Sequence, residues 1–158
     1  MLEPYEKAIW YSVVATIINV NMDDFHFLAC PLFVDGIQCM KNIADKVGDI
    51  WHCGKCDGDF AECDYRYILK VDLEDLTGNI HGVIAFDNAT NQLMGISAKY
   101  LCLLATESTS IAEIVQRICK KQLLLTLSIR TETLFGNARL KVVIVMVENT
   151  SSTISLHT

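Results

Sequence analysis

The chain has no surplus of positive charge. Its 158 residues carry 13 Lys and Arg against 19 Asp and Glu, a formal net charge of −6. A dedicated nucleic-acid binder shows a basic surplus, so this balance argues against a strong, charge-driven grip on DNA or RNA. No apolar run reaches the length of a membrane span, so no membrane is expected as a partner. The start, Met1-Leu2-Glu3-Pro4-Tyr5, lacks the basic region and apolar core of a secretory signal. Internal repeats and low-complexity runs are absent as well. No nucleophile comes with a base and an orienting acid, and Thr77-Gly78-Asn79 reads as a turn rather than a phosphate loop. Neither an enzyme nor a small-molecule substrate is therefore expected.

What is present is material for a core and a cluster of thiols. Hydrophobic residues make up 51% of the chain, enough for one domain with a small inserted module. Four of the seven cysteines fall into two pairs, Cys30-Pro-Leu-Phe-Val-Asp-Gly-Ile-Gln-Cys39 and Cys53-Gly-Lys-Cys56. A tetrahedral zinc ion needs four soft donors close together, and short cysteine turns deliver them in pairs. Cys30, Cys39, Cys53 and Cys56 are thus expected to hold one structural zinc per chain. Four thiolates leave no open position for a catalytic water. Cys63 is a weaker alternative ligand than Cys39. His26 and His52 have ligand chemistry, but His52 adjoins Cys53 and is expected to point away from the metal. The odd cysteine count suits a reducing compartment, with Cys102 and Cys119 buried as small apolar residues.

The organisation follows from periodicity. Residues 1–10 read as a lead-in, 11–148 as the fold with a zinc ribbon inserted at 30–64, and 149–158 as a flexible Ser/Thr-rich tail. The ends do not read as natural termini, so an excised domain is expected. Tyr11 to Asn21 is a long strand rich in β-branched residues, Met22-Asp23-Asp24 a turn, and Phe25 to Ala29 a strand leading into Cys30. Ile50-Trp51-His52 forms a short strand inside the ribbon. Tyr65 to Asp75 alternates as a half-wet strand and returns through His81 to Phe86. Gln92 to Thr106 reads as one helix with Gly95 near its start. Ser110-Ile-Ala-Glu113 reads as a capping box opening a second helix, whose apolar face is Ile111, Ile114, Val115 and Ile118. Gln122 to Thr133 and Arg139 to Val147 form a last hairpin around Phe135-Gly136-Asn137. Asp57-Gly58-Asp59 is then a ribbon turn, and Asp72, Glu74 and Asp75 lie along a strand's wet face rather than in a catalytic set. The fold class is all-β with helices: a β-barrel in which helices separate the third and fourth long strands, the order of a single OB-fold.

Specific residues carry a family resemblance from about Tyr11 to Val147. They are Ala29-Cys30-Pro31, Trp51-His-Cys53-Gly-Lys-Cys56, Tyr65-Arg66-Tyr-Ile-Leu69, Phe86, Leu93-Met-Gly95-Ile-Ser-Ala98-Lys-Tyr-Leu101, and Glu132-Thr133 followed by Ala138-Arg139-Leu-Lys141. The pattern resembles the C-terminal zinc-ribbon OB-fold of the replication protein A large-subunit family. The resemblance implies a nuclear, chromosome-associated protein that works with single-stranded DNA. It also implies nucleic-acid contacts at Arg66, Phe86, Arg130, Arg139 and Lys141, with Lys70 a further cation of the same residual basic groove, for which the alternative is a set of solvated strand faces and a core phenylalanine.

The departures are informative. Eight residues separate Cys30 from Cys39, more than the family's spacing, a loop extension that zinc tolerates at ~0.6 kcal/mol per doubling. Positions where the family places stacking aromatics hold Gly82 and Leu134. The run Leu125-Thr-Leu-Ser-Ile-Arg130 keeps one cation where the family alternates several. Losing two stackers and two cations weakens single-strand binding by roughly 3–6 kcal/mol if the terms add. The family's trimerising C-terminal helix has no counterpart. Meanwhile Leu123-Leu-Leu-Thr-Leu-Ser-Ile129 and Val142 to Val147 are more apolar than one buried face requires. Leu123, Leu125, Leu127, Val143 and Val145 are therefore expected to dock a partner protein of a DNA-repair complex. Within the family these departures resemble the shieldin branch, that of shieldin complex subunit 2. This would imply DNA-end protection at sites of damage, end joining, and docking of shieldin subunit 1. The alternative is a direct single-stranded-DNA domain of a replication protein A paralogue, in replication, meiotic recombination or telomere maintenance, binding weakly or through neighbouring OB-folds.

Overall fold

The computed structural model describes residues 8–43, 45–104 and 108–149. Most of the lead-in, residue Ala44 and the tail after Asn149 lie outside the described residues. Five long strands close a barrel. β1 (Ile9–Asn21) pairs antiparallel with β8 (Asp64–Asp75) and with β10 (Gln122–Leu134). β8 pairs with β9 (Gly78–Phe86), β9 runs parallel to β11 (Asn137–Asn149), and β11 pairs with β10. Among the described residues three helices lie between β9 and β10, in keeping with the OB-fold order.

One irregularity lets β1 serve two neighbours. Its register shifts between Ile17 and Asn19, so Ile17 and Val20 both point inward. The bulge adds twist and turns the strand from β10 toward β8. β1 begins at Ile9, two residues before the expected start, because Ile9 and Trp10 pair with Ile129 and Ser128.

The barrel core is continuous: Ile17, Tyr67, Leu69, Val83, Leu101, Leu125 and Ile144 are almost fully buried. Tyr67 buries its ring and donates its hydroxyl to the Ile96 carbonyl at 2.9 Å, and burial pushes its phenol pKa up. Thr90, buried and polar, is satisfied by donating to the Ala85 carbonyl at 2.8 Å.

The expected long helix is two. α1 spans Asp87–Met94 and ends at Gly95, which sits in the left-handed region at φ 73° and donates its N–H to Asn91. A glycine there terminates a helix because no Cβ meets the following carbonyl. α2 (Ala98–Leu104) starts again after Ser97, whose hydroxyl accepts the Tyr100 N–H at 3.2 Å. α3 spans Ser108–Ile118. It begins two residues before the expected capping box, so Ser110 lies inside the helix rather than at its N-cap. Its apolar face meets the core as expected, with Ile114 and Ile118 buried and Ile111 and Val115 packed beside them.

The acidic residues of the first hairpin shape its turn and bulge. Asp75 accepts from the backbone N–H groups of Thr77 and Gly78 and from the Thr77 hydroxyl, which holds its carboxyl below the ordinary range. Asp72 accepts from Gly82 N–H at 3.0 Å and from Asn19 at 3.2 Å, and is lowered chiefly by the Gly82 bond.

Candidate metal centre and nucleic-acid interface

Between β2 (His26–Ala29) and β8 the chain leaves the barrel as a ribbon. It has a hairpin of β3 (Phe33–Val34) and β4 (Ile37–Gln38), and a sheet of β5 (Asp45–Val47), β6 (Ile50–Cys53) and β7 (Gly58–Phe60). The long first cysteine loop is absorbed by the β3–β4 hairpin. Asp35 and Gly36 turn it at φ 53° and 79°, and Cys39 N–H bonds the Leu32 carbonyl at 2.8 Å. Both ends of the loop thus return to one place despite the extra residues.

The four expected ligands meet there. The sulfurs of Cys30, Cys39, Cys53 and Cys56 all lie within 4.8 Å of one another. Cys30 Sγ is 3.9 Å from Cys56 Sγ, and Cys39 Sγ is 3.9 Å from Cys53 Sγ. Tetrahedral sulfur ligation at bonds of ~2.3 Å sets neighbouring sulfurs ~3.8 Å apart, so the donor set fits zinc. The thiols disfavour joint ionisation without a cation among them. Cys56 is pushed up to about 12, first by the adjoining Cys39 thiol and then by burial, and burial raises Cys30. Cys53 is lowered to about 7, chiefly because the Cys56 backbone N–H points at its sulfur. Cys63 packs against the ribbon core and is not one of the four. His52 turns away as expected: its Nδ1 lies 2.7 Å from Asp59 Oδ1 and its Nε2 3.6 Å from Asp57 Oδ1.

A polar clasp joins ribbon to barrel. Arg66 donates to Asp87 Oδ2 at 2.9 Å and to Gln38 Oε1, and lies 3.3 Å from Asp64. Gln38 in turn donates to the Cys30 carbonyl at 3.1 Å. Arg66 is therefore engaged by two carboxylates and, through Gln38, links the barrel to the ribbon. Asp87 also accepts the Tyr67 backbone N–H at 3.1 Å, tying the clasp to α1.

The remaining expected nucleic-acid residues share one outer face. Along β9, Val83 and Ala85 point inward, so Gly82, Ile84 and Phe86 point outward. Register places Phe86 beside Ile68, Ile84 beside Lys70 and Val143, Lys141 beside Arg130, and Arg139 beside Glu132. Phe86 is 41% exposed and is not a core residue. It lines a concavity of about 330 Å³ with Phe27, Met40, Arg66 and Asn88. Lys70, a candidate for the same basic groove, lies on this face, whereas Glu132, which lies within 4 Å of Arg130, Arg139 and Lys141, was not expected as a site residue. Only the cross-strand register reveals that acid's place.

The expected partner patch is corrected. Leu123, Leu125 and Leu127 are core residues, buried inside the barrel, while Leu124, Thr126 and Ser128 take the outer face. The run alternates after all, because β10 lies between β1 and β11 with its inner face against the core. Val143 and Val145 are half-buried. The exposed apolar residues lie nearby instead, at Trp10 (62% exposed), Val14 (46%) and Met146 (47%).

The Replication factor-A C terminal domain family model matches residues 10–155. The chain belongs to this family. A Replication protein A 70 kDa DNA-binding subunit of Arabidopsis thaliana is 34% identical over 146 residues, 90% of this chain and 18% of that protein. Replication factor A protein 1 of Saccharomyces cerevisiae is 28% identical over 137 residues, 86% of this chain and 21% of that protein. A solved replication protein A heterotrimer bound to ssDNA superposes with a TM-score of 0.79 at 26% identity, over 96% of this chain and 35% of that one. The replication factor-A domain thus spans about a fifth of the curated relatives' length. These matches favour the replication protein A reading. They give no support to shieldin complex subunit 2, and the docking of shieldin subunit 1 loses its basis with it.

Proposed function

We propose that this domain is a single-stranded-DNA-binding module of a replication protein A-type large subunit, held in shape by one structural zinc at Cys30, Cys39, Cys53 and Cys56. The observation that supports this reading is the outer face of β8 to β11, which carries the cations Lys70, Arg130, Arg139 and Lys141 and, further along β9, the exposed ring of Phe86. Phe86 offers a ring for a base, and the cations offer charge for the backbone. Arg66 positions the ribbon beside that face. With one exposed stacker and an acidic balance, affinity is modest for the domain alone and rises in a row of neighbouring OB-folds. The module is a binder rather than an enzyme, and it works in the nucleus on chromosomal single strands, including those at damage. The zinc-loaded chain is expected to bind a labelled oligonucleotide at low salt with a steep salt dependence. Phe86→Ala should weaken binding by about 1–3 kcal/mol while leaving the melting temperature nearly unchanged. No detectable binding by the wild-type chain at low salt would sink the reading.

A second reading rests on the exposed apolar stripe of Trp10, Val14 and Met146, which adjoins half-buried Val143 and Val145. It makes this side a docking face for another subunit of the same complex. On co-expression with the other replication protein A subunits, a Trp10→Ser, Val14→Ser double variant should lose co-purification and keep zinc and fold. Unchanged co-purification would remove the docking face.

A further inference from the structure

The cations of the last hairpin already hold an anion. β10 and β11 set Arg130 directly opposite Lys141 and Glu132 directly opposite Arg139. Two cations facing each other across a strand pair repel, so Arg130 and Lys141 need a shared counter-charge. Glu132 supplies it. Its Oε1 lies 3.3 Å from Arg130 and 3.5 Å from Lys141, and its Oε2 lies 3.8 Å from Arg139. The carboxylate is 30% exposed, while the arginines reach further into solvent at 50% and 62%. It lines a concavity of about 270 Å³ with Lys70, Gly82, Ile84, Arg139 and Lys141. Gly82 adds no side chain to this hollow, so the acid is the group there that contends for the cations.

We infer that Glu132 is a built-in competitor for the nucleic-acid phosphate. Its carboxylate occupies the position where three cations converge, and a strand binds this hairpin by displacing it. A phosphate that enters gains the attraction of Arg139, Lys141 and Arg130, and meets the repulsion of Glu132 at similar range. One unit charge at ~4 Å is worth ~1 kcal/mol even at the dielectric constant of water. The acid thus lowers affinity, and in return it keeps the cations ordered and the hairpin free of uncompensated repulsion. This inference rests on the single-stranded-DNA reading above and assigns its regulation to one residue.

Glu132→Gln keeps the shape and removes the charge. The zinc-loaded variant is expected to bind an oligonucleotide about fivefold more tightly at low salt. The slope of log affinity against log salt should steepen by ~0.7, the increment for one more phosphate contact on a single strand. The same gain should appear with an abasic deoxyribose-phosphate oligomer, because phosphate and not base is the competitor. Adding Lys141→Gln should cancel the gain, and this second variant separates competition from any loss of hairpin order. If wild type binds and Glu132→Gln binds equally or more weakly, the inference is overturned and the single-stranded-DNA reading stands. A gain confined to base-bearing strands also overturns it. If wild type is silent, the single-stranded-DNA reading falls and the inference falls with it, whatever Glu132→Gln does.

Discussion

Cys53→Ser is expected to empty the metal site and unfold the ribbon while the barrel stays folded. The two modules have separate cores. The barrel's core runs through both hairpins and all three helices. The ribbon's core is Cys30, Ile43 and Cys53, with Cys39, Trp51, Cys56, Phe60 and Cys63 half-buried around them. That is too little apolar burial to offset the ordering of some thirty residues at ~1–2 kcal/mol each. Structural zinc contributes ~10–16 kcal/mol in small metal-held domains, so metal binding here is ribbon folding. Losing one thiolate of four removes most of that. Elemental analysis should find about one zinc per wild-type chain and almost none in the variant. Hydrogen exchange should lose protection across 45–60 and keep it in the barrel strands. Chelation of the wild type should give the same pattern. A variant that retains zinc and a protected ribbon would show that Cys53 is not a ligand.

The separation into ribbon and barrel was legible in the residues because both signals are local. CxxC spacing and period-two alternation need no knowledge of distant contacts. What depends on distant contacts was not legible. Gly95 inside a helical pattern reads as a tolerated glycine, and only its left-handed conformation identifies it as the end of α1. The start of α1 at Asp87 is set partly by tertiary bonds, since Asp87 takes the Arg66 guanidinium and the Tyr67 N–H.

The last hairpin shows the same limit on charge. Its turn is the pair Phe135-Gly136, with φ of 52° and 81°, rather than a longer loop through Asn137. Two residues of positive φ match the strand twist, and the short turn fixes the register. A register shifted by one would part Glu132 from Arg139 and Arg130 from Lys141. The anion at the centre of the basic face therefore exists only through that turn, and a list of cations along the sequence overstates the charge a strand would meet.

Leu125→Ala is expected to cost about 2–5 kcal/mol of stability, the range for emptying a leucine from a packed core. Leu125 is fully buried, with Leu123 and Leu127 beside it, so the deleted methyl groups leave a cavity among rigid strands. Leu124, one residue away, faces outward and is half-buried. Leu124→Ala should cost under about 1 kcal/mol, since part of its surface stays wet in the folded state. Urea unfolding of the zinc-loaded variants measures both. The contrast separates two readings of one apolar run. A docking surface would tolerate Leu125→Ala in the isolated domain and lose only its partner, whereas a core strand loses the barrel. Equal and small effects at the two positions would put Leu125 on the surface and restore the partner patch. The expected asymmetry places any docking on the outer residues of β1, β10 and β11, because three of the run's four leucines are already committed to the core.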